Sequence, residues 1–361
     1  MDLQTCVAFS LLRGASSSRV AASLREACAD GRAIPPGALI GGVLAAVGLD
    51  AAAFDEAQRE ADRVLARARH LGLDAIPFAD ARYPPLVATI YDPPPVLWIR
   101  GHAQALLAPS VALVGARAAS APALAVAADL AASLARAGLG VVSGLARGVD
   151  AAAHSATLEA RGVTVAVLGC GADRVYPAEH RDLARAIGES GALVSELPPG
   201  TPPLRGHFPQ RNRVISGLSL ATVVVEASER SGSLITARFA LEQGREVMAV
   251  PGLALSGRNR GAHALLRDGA KLVETADDIL EELPGIGVGR PASSDGHKSL
   301  EKDELLDRLE ADGPCDLDEL HALTGLDAAS LLSRLLDLEL RGLVARAGGG
   351  RFLALARRVV T

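Results

Sequence analysis

The thirty residues from Leu139 to Leu168, LGVVSGLARGVDAAAHSATLEARGVTVAVL, decide the fold class. They open on the apolar run Leu139–Val142 and turn through Ser143-Gly144-Leu145-Ala146-Arg147-Gly148. An Ala-rich amphipathic stretch, Val149–Arg161, then leads into a second apolar run, Val163–Leu168. A short strand with no polar alternation is buried on both faces, and a helix joining two such strands is the crossover that keeps them parallel. The alternation continues outward in both directions. Strands are expected at Val111–Val114, Ala192–Val194, Ala221–Val225, Glu246–Val250 and Lys271–Val273, with helices at Ala121–Arg136, Ser233–Gln243 and Ala262–Arg267. The pattern predicts an α/β fold built on a parallel sheet, with ligands gathering at the carboxyl ends of its strands.

The flanks read differently. Residues 1–75 form a small helical N-terminal module, with Val20–Ala29 and Phe54–Leu71 rich in Ala and Leu and separated by glycines and Pro35-Pro36. A bridge containing Tyr83-Pro84-Pro85 and Asp92-Pro93-Pro94-Pro95 follows; prolines this dense favour an extended crossing. Val96–Ile99 then reads as a strand ended by Gly101. The main domain covers 76–283, and 284–298 is a linker by its glycines and prolines. Residues 299–361 run helix to Leu309, helix Asp316–Leu323, turn Thr324–Asp327, helix Ala328–Arg341 and a hairpin around Gly348-Gly349-Gly350, a winged-helix pattern.

The chain has 361 residues and a net charge of −5, which excludes a protein that coats nucleic acid with its whole surface. Charge is instead local. Arg205–Arg267 holds nine Arg and four Glu, a balance of +5, whereas Glu274–Glu310 holds eleven acids and four bases, a balance of −7. Cys6, Cys28, Cys170 and Cys315 are scattered, so neither zinc nor a disulfide framework is expected, and no motif asks for a cofactor. There is no signal-peptide start and no apolar run of about 18 residues, so a cytoplasmic protein with no membrane partner is expected.

Three places put glycine and polar residues directly after strands. Gly115-Ala116-Arg117 ends the Val111 strand, with Ser120 placed to cap the next helix and Pro122 in its first turn. Arg117 there is either one arm of an anion site beside a helix N-terminus or an ordinary surface arginine. Ser143, Gly144, Arg147 and Gly148 make a loop suited to a phosphate, without the Gly-Lys-Ser/Thr ending of a nucleotide-hydrolysing loop. Asp150 and His154, one helical turn apart, read as a structural pair that orders this loop. The third place is the loop Phe208-Pro209-Gln210-Arg211-Asn212-Arg213, followed by Ser231-Gly232-Ser233 and Thr236 after the next strand. An aromatic beside guanidinium groups serves single-stranded nucleic acid, since bases stack while phosphates are neutralised. The competing possibility is that Phe208 packs into the core and the arginines pair with Glu226 or Glu229.

Taken in order, Val111–Arg117, Ser143–His154, Ala166–Pro177, Ser195–Gly217, Val223–Leu241 and Arg245–Gly252 resemble the DprA family, also called Smf, proteins of DNA uptake in natural transformation. The resemblance implies an extended Rossmann-like fold that binds single-stranded DNA in a positive pocket, dimerises through the same domain and hands the strand to the recombinase RecA, with no reaction of its own. By matched position it places DNA contacts on Gly115, Arg117, Arg147, Phe208, Arg211, Asn212 and Arg213. It assigns backbone or hydroxyl contacts to Ser231, Gly232, Ser233 and Thr236. Ala116 departs from the small hydroxyl residue often found there. The family also carries N-terminal helices and a C-terminal winged helix. In this chain Arg334 and Arg341 of the expected second helix are offset by Asp337 and Glu339, which favours a protein contact over duplex reading.

Two other classes compete. A related group of Rossmann-like enzymes that free a base from a nucleotide resembles the Ser231–Thr236 turn. Those enzymes carry a catalytic Glu within one helical turn after the threonine, where this chain has Phe239. An adaptor that binds a nucleotide as a signal is the third class.

Overall fold

Strand β3 (Ser110–Val114) shows how the sheet is buried. Val111 and Leu113 enter one core with Leu130, Leu134 and Val149, while Ala112 and Val114 enter another with Val142, Val214 and Ile215. Side chains alternate across a strand, so an all-apolar run needs helices on both faces. In the computed structural model the other strands are β1 (Asp74–Pro77), β2 (Val96–Gly101), β4 (Gly140–Ser143), β5 (Thr164–Val167), β6 (Ala192–Ser195), β7 (Ala221–Val224), β8 (Glu246–Ala249) and β9 (Lys271–Leu272). The structure describes residues 2–12, 20, 22, 36–283, 309, 315–324, 326, 331, 334–335, 344–347 and 351–354.

Nine strands form one sheet in the order β1-β2-β6-β5-β4-β3-β7-β8-β9. The seven from β3 to β9 run parallel; β2 joins β6 antiparallel, and β1 joins β2 antiparallel. The order makes the fold doubly wound. From β3 the chain builds outward through β4, β5 and β6, then returns to place β7 on the other side of β3. The crevice between the carboxyl ends of β3 and β7 is the point where ligands settle on such sheets.

The longer helices of the first unit are α1 (Leu3–Leu11), α2 (Pro36–Val47), α3 (Ala51–His70), α4 (Ala121–Arg136), α5 (Val149–Glu159), α6 (Arg181–Ser190), α7 (His207–Gly217), α8 (Ser233–Glu242) and α9 (Arg260–Arg267). In α3, Phe54, Ala57, Ala61, Val64 and Ala68 recur at helical spacing and pack with Cys6, Phe9 and Trp98. The N-terminal helices thus share a core with β2. Strand β1 had no counterpart in the sequence reading. Ala75 and Ile76 carry too short an apolar signal, and Pro77 is tolerated because β1 is an edge strand. The proline bridge is not wholly extended. Pro85 starts a one-turn helix, Pro85–Ala88, and the Tyr83 hydroxyl donates to the Pro94 carbonyl at 2.7 Å.

The chain divides into two compact units, Met1–Pro291 and Ala292–Thr361. In the second, α10 (Leu317–Thr324) and the antiparallel hairpin β10 (Val344–Ala347) with β11 (Arg351–Ala354) match the expected pattern. Cys315, Leu320, Leu331, Leu335 and Phe352 form its core. The expected linker 284–298 and most of the helix Ala328–Arg341 lie outside the described residues. Among the described residues no helix is long and apolar enough to cross a membrane.

Candidate nucleic-acid interface

The segment read as a loop, Phe208 to Arg213, is the start of helix α7. Pro209 misled that reading. It sits in the first turn, where the missing N–H has no helical partner to lose. Helical spacing then sorts the side chains. Phe208, Arg211, Asn212 and Ile215, at i, i+3, i+4 and i+7, face a cavity of about 470 Å³ between the ends of β3 and β7. The cavity is also lined by Gly115 and Arg117 after β3 and by Ser231, Gly232, Ser233 and Thr236 at the start of α8.

Arg213 faces elsewhere. Its guanidinium donates to both Glu196 carboxylate oxygens at 2.6 and 2.7 Å and pairs with Asp92 at 2.9 Å. Burial opposes its charge, but Glu196 and Asp92 more than offset that and hold its pKa above the ordinary value. The expectation that Arg213 meets a phosphate is therefore corrected: it is a buried structural cation, paired with neither Glu226 nor Glu229.

Arg211 is buried as well, not an exposed loop arginine. Its Nη1 donates to the carbonyls of Gly144 (2.8 Å) and Val167, tying α7 to two strand ends. Burial lowers its pKa to about 10, with Asp150 opposing the drop, so it stays cationic at neutral pH. Gly144 is glycine because a Cβ there would lie 2.2 Å from the Arg211 guanidinium. Asn212 donates to the Gly232 carbonyl at 3.2 Å and so ties α7 to the Ser231 turn, where the Ser231 and Ser233 hydroxyls are 2.7 Å apart.

The Ser143–Gly148 loop is held from beneath. Asp150 accepts the N–H groups of Gly144 and Ala146, both at 3.2 Å, and so orders the loop. Burial raises its pKa, with Arg211 opposing. Ser143 donates to the Leu113 carbonyl at 2.6 Å and is fully buried, which makes it a strand-end tie and removes it from the cavity wall. Gly148 has φ +76°, and a Cβ there would meet the Ala116 carbonyl at 2.2 Å; it lets the first two loops interlock. Arg147 is exposed, and its Nη2 donates to Glu179 at 2.8 Å, so a phosphate would have to displace that carboxylate.

His154 does not join Asp150. Its Nδ1 lies 2.7 Å from the Thr164 hydroxyl, which itself donates to the Val141 carbonyl, so His154 pins α5 to the sheet. Burial, with Arg211 and His180 adding to it, lowers its pKa to about 3 from 6.5. An unfolded chain therefore takes up a proton below pH 6.5 that the folded one refuses, and stability falls as pH falls through that window. From pH 7 to pH 5 the loss from this group is about 2 kcal/mol. Urea unfolding of His154→Asn at both pH values checks it: the drop should shrink by that amount relative to the wild type, and an unchanged drop would refute the assignment.

What remains exposed at the rim is a small constellation. The Arg117 guanidinium carbon lies 5.6 Å from the Phe208 ring centre, and the centre of the Tyr176 ring lies 5.3 Å from that of Phe208. Phe208 is half-buried and Tyr176 is 46% exposed, so neither is sealed in the core. Arg258, which donates to the Ala118 carbonyl at 2.8 Å, completes the basic rim. The acids of the wall are engaged: Glu226 accepts from the Ser120 N–H (3.1 Å) and hydroxyl (2.6 Å), and Asp150 holds its loop. Ser120 caps α4 as expected. Sequence reasoning missed Tyr176 and Arg258. Arg258-Asn259-Arg260 repeats the Arg-Asn-Arg of 211–213 inside the basic segment, a signal that could have found it. Among the described residues no cluster of three His, Cys, Asp or Glu is placed to hold a metal ion.

Residues 74–284 match the family model described as DNA recombination-mediator protein A, and residues 290–350 match that of the DprA winged helix domain. Protein Smf of Escherichia coli is 41% identical over 286 residues, 76% of this chain and 76% of that protein. The DNA processing protein DprA of Bacillus subtilis is 44% identical over 223 residues, 62% of this chain and 75% of its own. Among solved structures, DprA of Streptococcus pneumoniae superimposes with a TM-score of 0.69 at 34% identity, covering 78% of this chain and 98% of that one. DprA of Helicobacter pylori, described with a unique single-stranded DNA binding mode, gives a TM-score of 0.53 at 27% identity over 58% of this chain and 95% of that one.

Proposed function

Because the chain belongs to the DprA/Smf family of DNA recombination-mediator proteins, we propose that it binds single-stranded DNA in the cavity between β3 and β7 and passes the strand to a RecA recombinase in natural transformation. The observation that carries the reading is the rim itself: Arg117 over the face of Phe208, with Tyr176 beside it. Unpaired bases stack on exposed aromatic faces whatever their sequence, and guanidinium groups neutralise the phosphates between them. The paired Ser231 and Ser233 hydroxyls, which line the cavity at the start of α8, add a hydroxyl donor for an anion. The single-stranded DNA named for the Helicobacter pylori relative supports the choice of ligand. Delivery to RecA and a homodimer through the same domain rest on the family resemblance.

Binding without catalysis is part of the proposal. Phe239 stands where the base-releasing enzymes keep a carboxylate, and Asp150 and Glu226 at the cavity already accept backbone N–H groups. Incubation with nucleoside monophosphates is expected to release no base.

Affinity should be higher for a single strand than for a duplex of equal length, because the cavity admits bases that are free to turn outward. It should fall with salt, with a log–log slope of roughly −0.7 per phosphate contacted. Titrations at several salt concentrations with both DNA forms test this. Equal affinity for the two, or tighter binding of a mononucleotide than of an oligonucleotide, would overturn it.

A further inference from the structure

A second basic cavity, of about 760 Å³, lies outside the site described above. Arg100 of β2, Arg174 of the loop after β5, and Arg181 and Arg185 of α6 line it, with Asp173 as the acid among them. Asp173 is already committed, accepting the Gly200 N–H at 2.7 Å and pairing with Arg67 at 3.2 Å. Arg185 makes an exposed pair with Asp182, one helical turn away, which contributes little. Among the described residues, Arg100, Arg174 and Arg181 have neither a hydrogen bond nor an ion pair from their side chains. Arg100 is half-buried, and burial lowers its pKa with Asp173 opposing. A partly buried cation without a counter-ion, facing three more, is a site that an anion would complete.

The position of this cavity says which anion. Arg174 and Val175 line it, while the next two residues, Tyr176 and Pro177, line a small cavity that Arg117, Arg147 and Phe208 also border. Two residues of chain reach about 7 Å at most, the length of about two phosphates along a stacked strand. We propose that a single strand stacked at Phe208 and Tyr176 continues past Arg174 into this basin, where Arg100, Arg174, Arg181 and Arg185 bind its phosphodiester backbone. The inference rests on the single-strand reading of the first cavity and extends it to a second stretch of the same strand.

The test uses the full-length protein, R174A/R181A and R117A, with oligo-dT of about 4 and about 15 nucleotides. Both basin arginines are exposed, so the double variant should melt with the wild type. It should bind the short oligonucleotide as the wild type does, bind the long one on the order of tenfold more weakly, and show a shallower salt slope by about 1.4 for two phosphates lost. If R117A lowers affinity for both lengths while R174A/R181A changes neither affinity nor slope, the basin proposal fails and the single-strand reading stands. If the wild type binds neither length, both fail. A double variant that loses inorganic phosphate or dTMP binding but keeps the long oligonucleotide makes the basin a small-anion site and overturns the proposal.

Discussion

Arg213→Ala is expected to lower the stability of the folded protein by about 3–5 kcal/mol while leaving single-strand affinity per folded molecule unchanged. Arg213 is 5% exposed, and its guanidinium answers two carboxylates, Glu196 through both oxygens and Asp92 through Nε. It also donates to the Gln210 carbonyl at 3.1 Å. Truncation leaves both acids facing one another without a cation. Burial already raises the pKa of Asp92, with Arg213 opposing, so that carboxylate gains protons once the arginine is gone. The lost side-chain stem adds a packing defect at the base of α7. Arg213→Lys keeps the charge but not the bidentate geometry, and should fall between the two. Denaturant midpoints at pH 7 and oligonucleotide titrations on the same preparations check the ranking. A variant that melts normally but loses DNA would return Arg213 to the binding surface.

This residue also marks the limit of what could be read beforehand. Six of the seven parallel strands, β3 to β8, were legible because a short, mainly apolar run has one physical explanation, burial on both faces, whichever tertiary partners supply it; β9, Lys271–Leu272, is exposed and carries no such run. Helix α7 was not legible, because a proline, two arginines and an amide also compose a polar loop. Its period of Phe208, Arg211, Asn212 and Ile215 is visible only once a helix is assumed. Segment charge was a coarse guide for the same reason. The local +5 counted Arg213, which is neutralised inside the fold, equally with Arg258, which reaches the cavity rim. Burial separates them, and burial is a property of the assembled elements. The Ser120 cap, by contrast, depends on neighbours within three residues, and it lies where the sequence put it.

Arg117→Ala is expected to weaken single-strand binding by about 1.5–3 kcal/mol, roughly 10- to 150-fold, with stability changed by less than about 0.5 kcal/mol. Arg117 is exposed and its guanidinium lies over the Phe208 ring at 5.6 Å, so folding draws little from it. Binding draws more, because an arginine–phosphate bond is charge-assisted and can use two donors at once. Phe208→Leu keeps most of the apolar volume but removes the face that a base would stack on, worth about 1–3 kcal/mol. As a simple packing position it would instead lose under about 1.5 kcal/mol of stability and no affinity. The two side chains touch, so their effects should not add. The cation steadies the ring that stacks, and once the ring is gone the arginine is free to seek its phosphate alone. The double variant is therefore expected to bind more tightly than the sum of the single losses predicts, by about 0.5 kcal/mol or more. A complete cycle of affinities and melting temperatures, measured on four preparations in one buffer, gives that coupling directly. Strict additivity would mean that Arg117 and Phe208 serve separate parts of the ligand. Normal affinity in Arg117→Ala would remove the rim from the DNA path altogether.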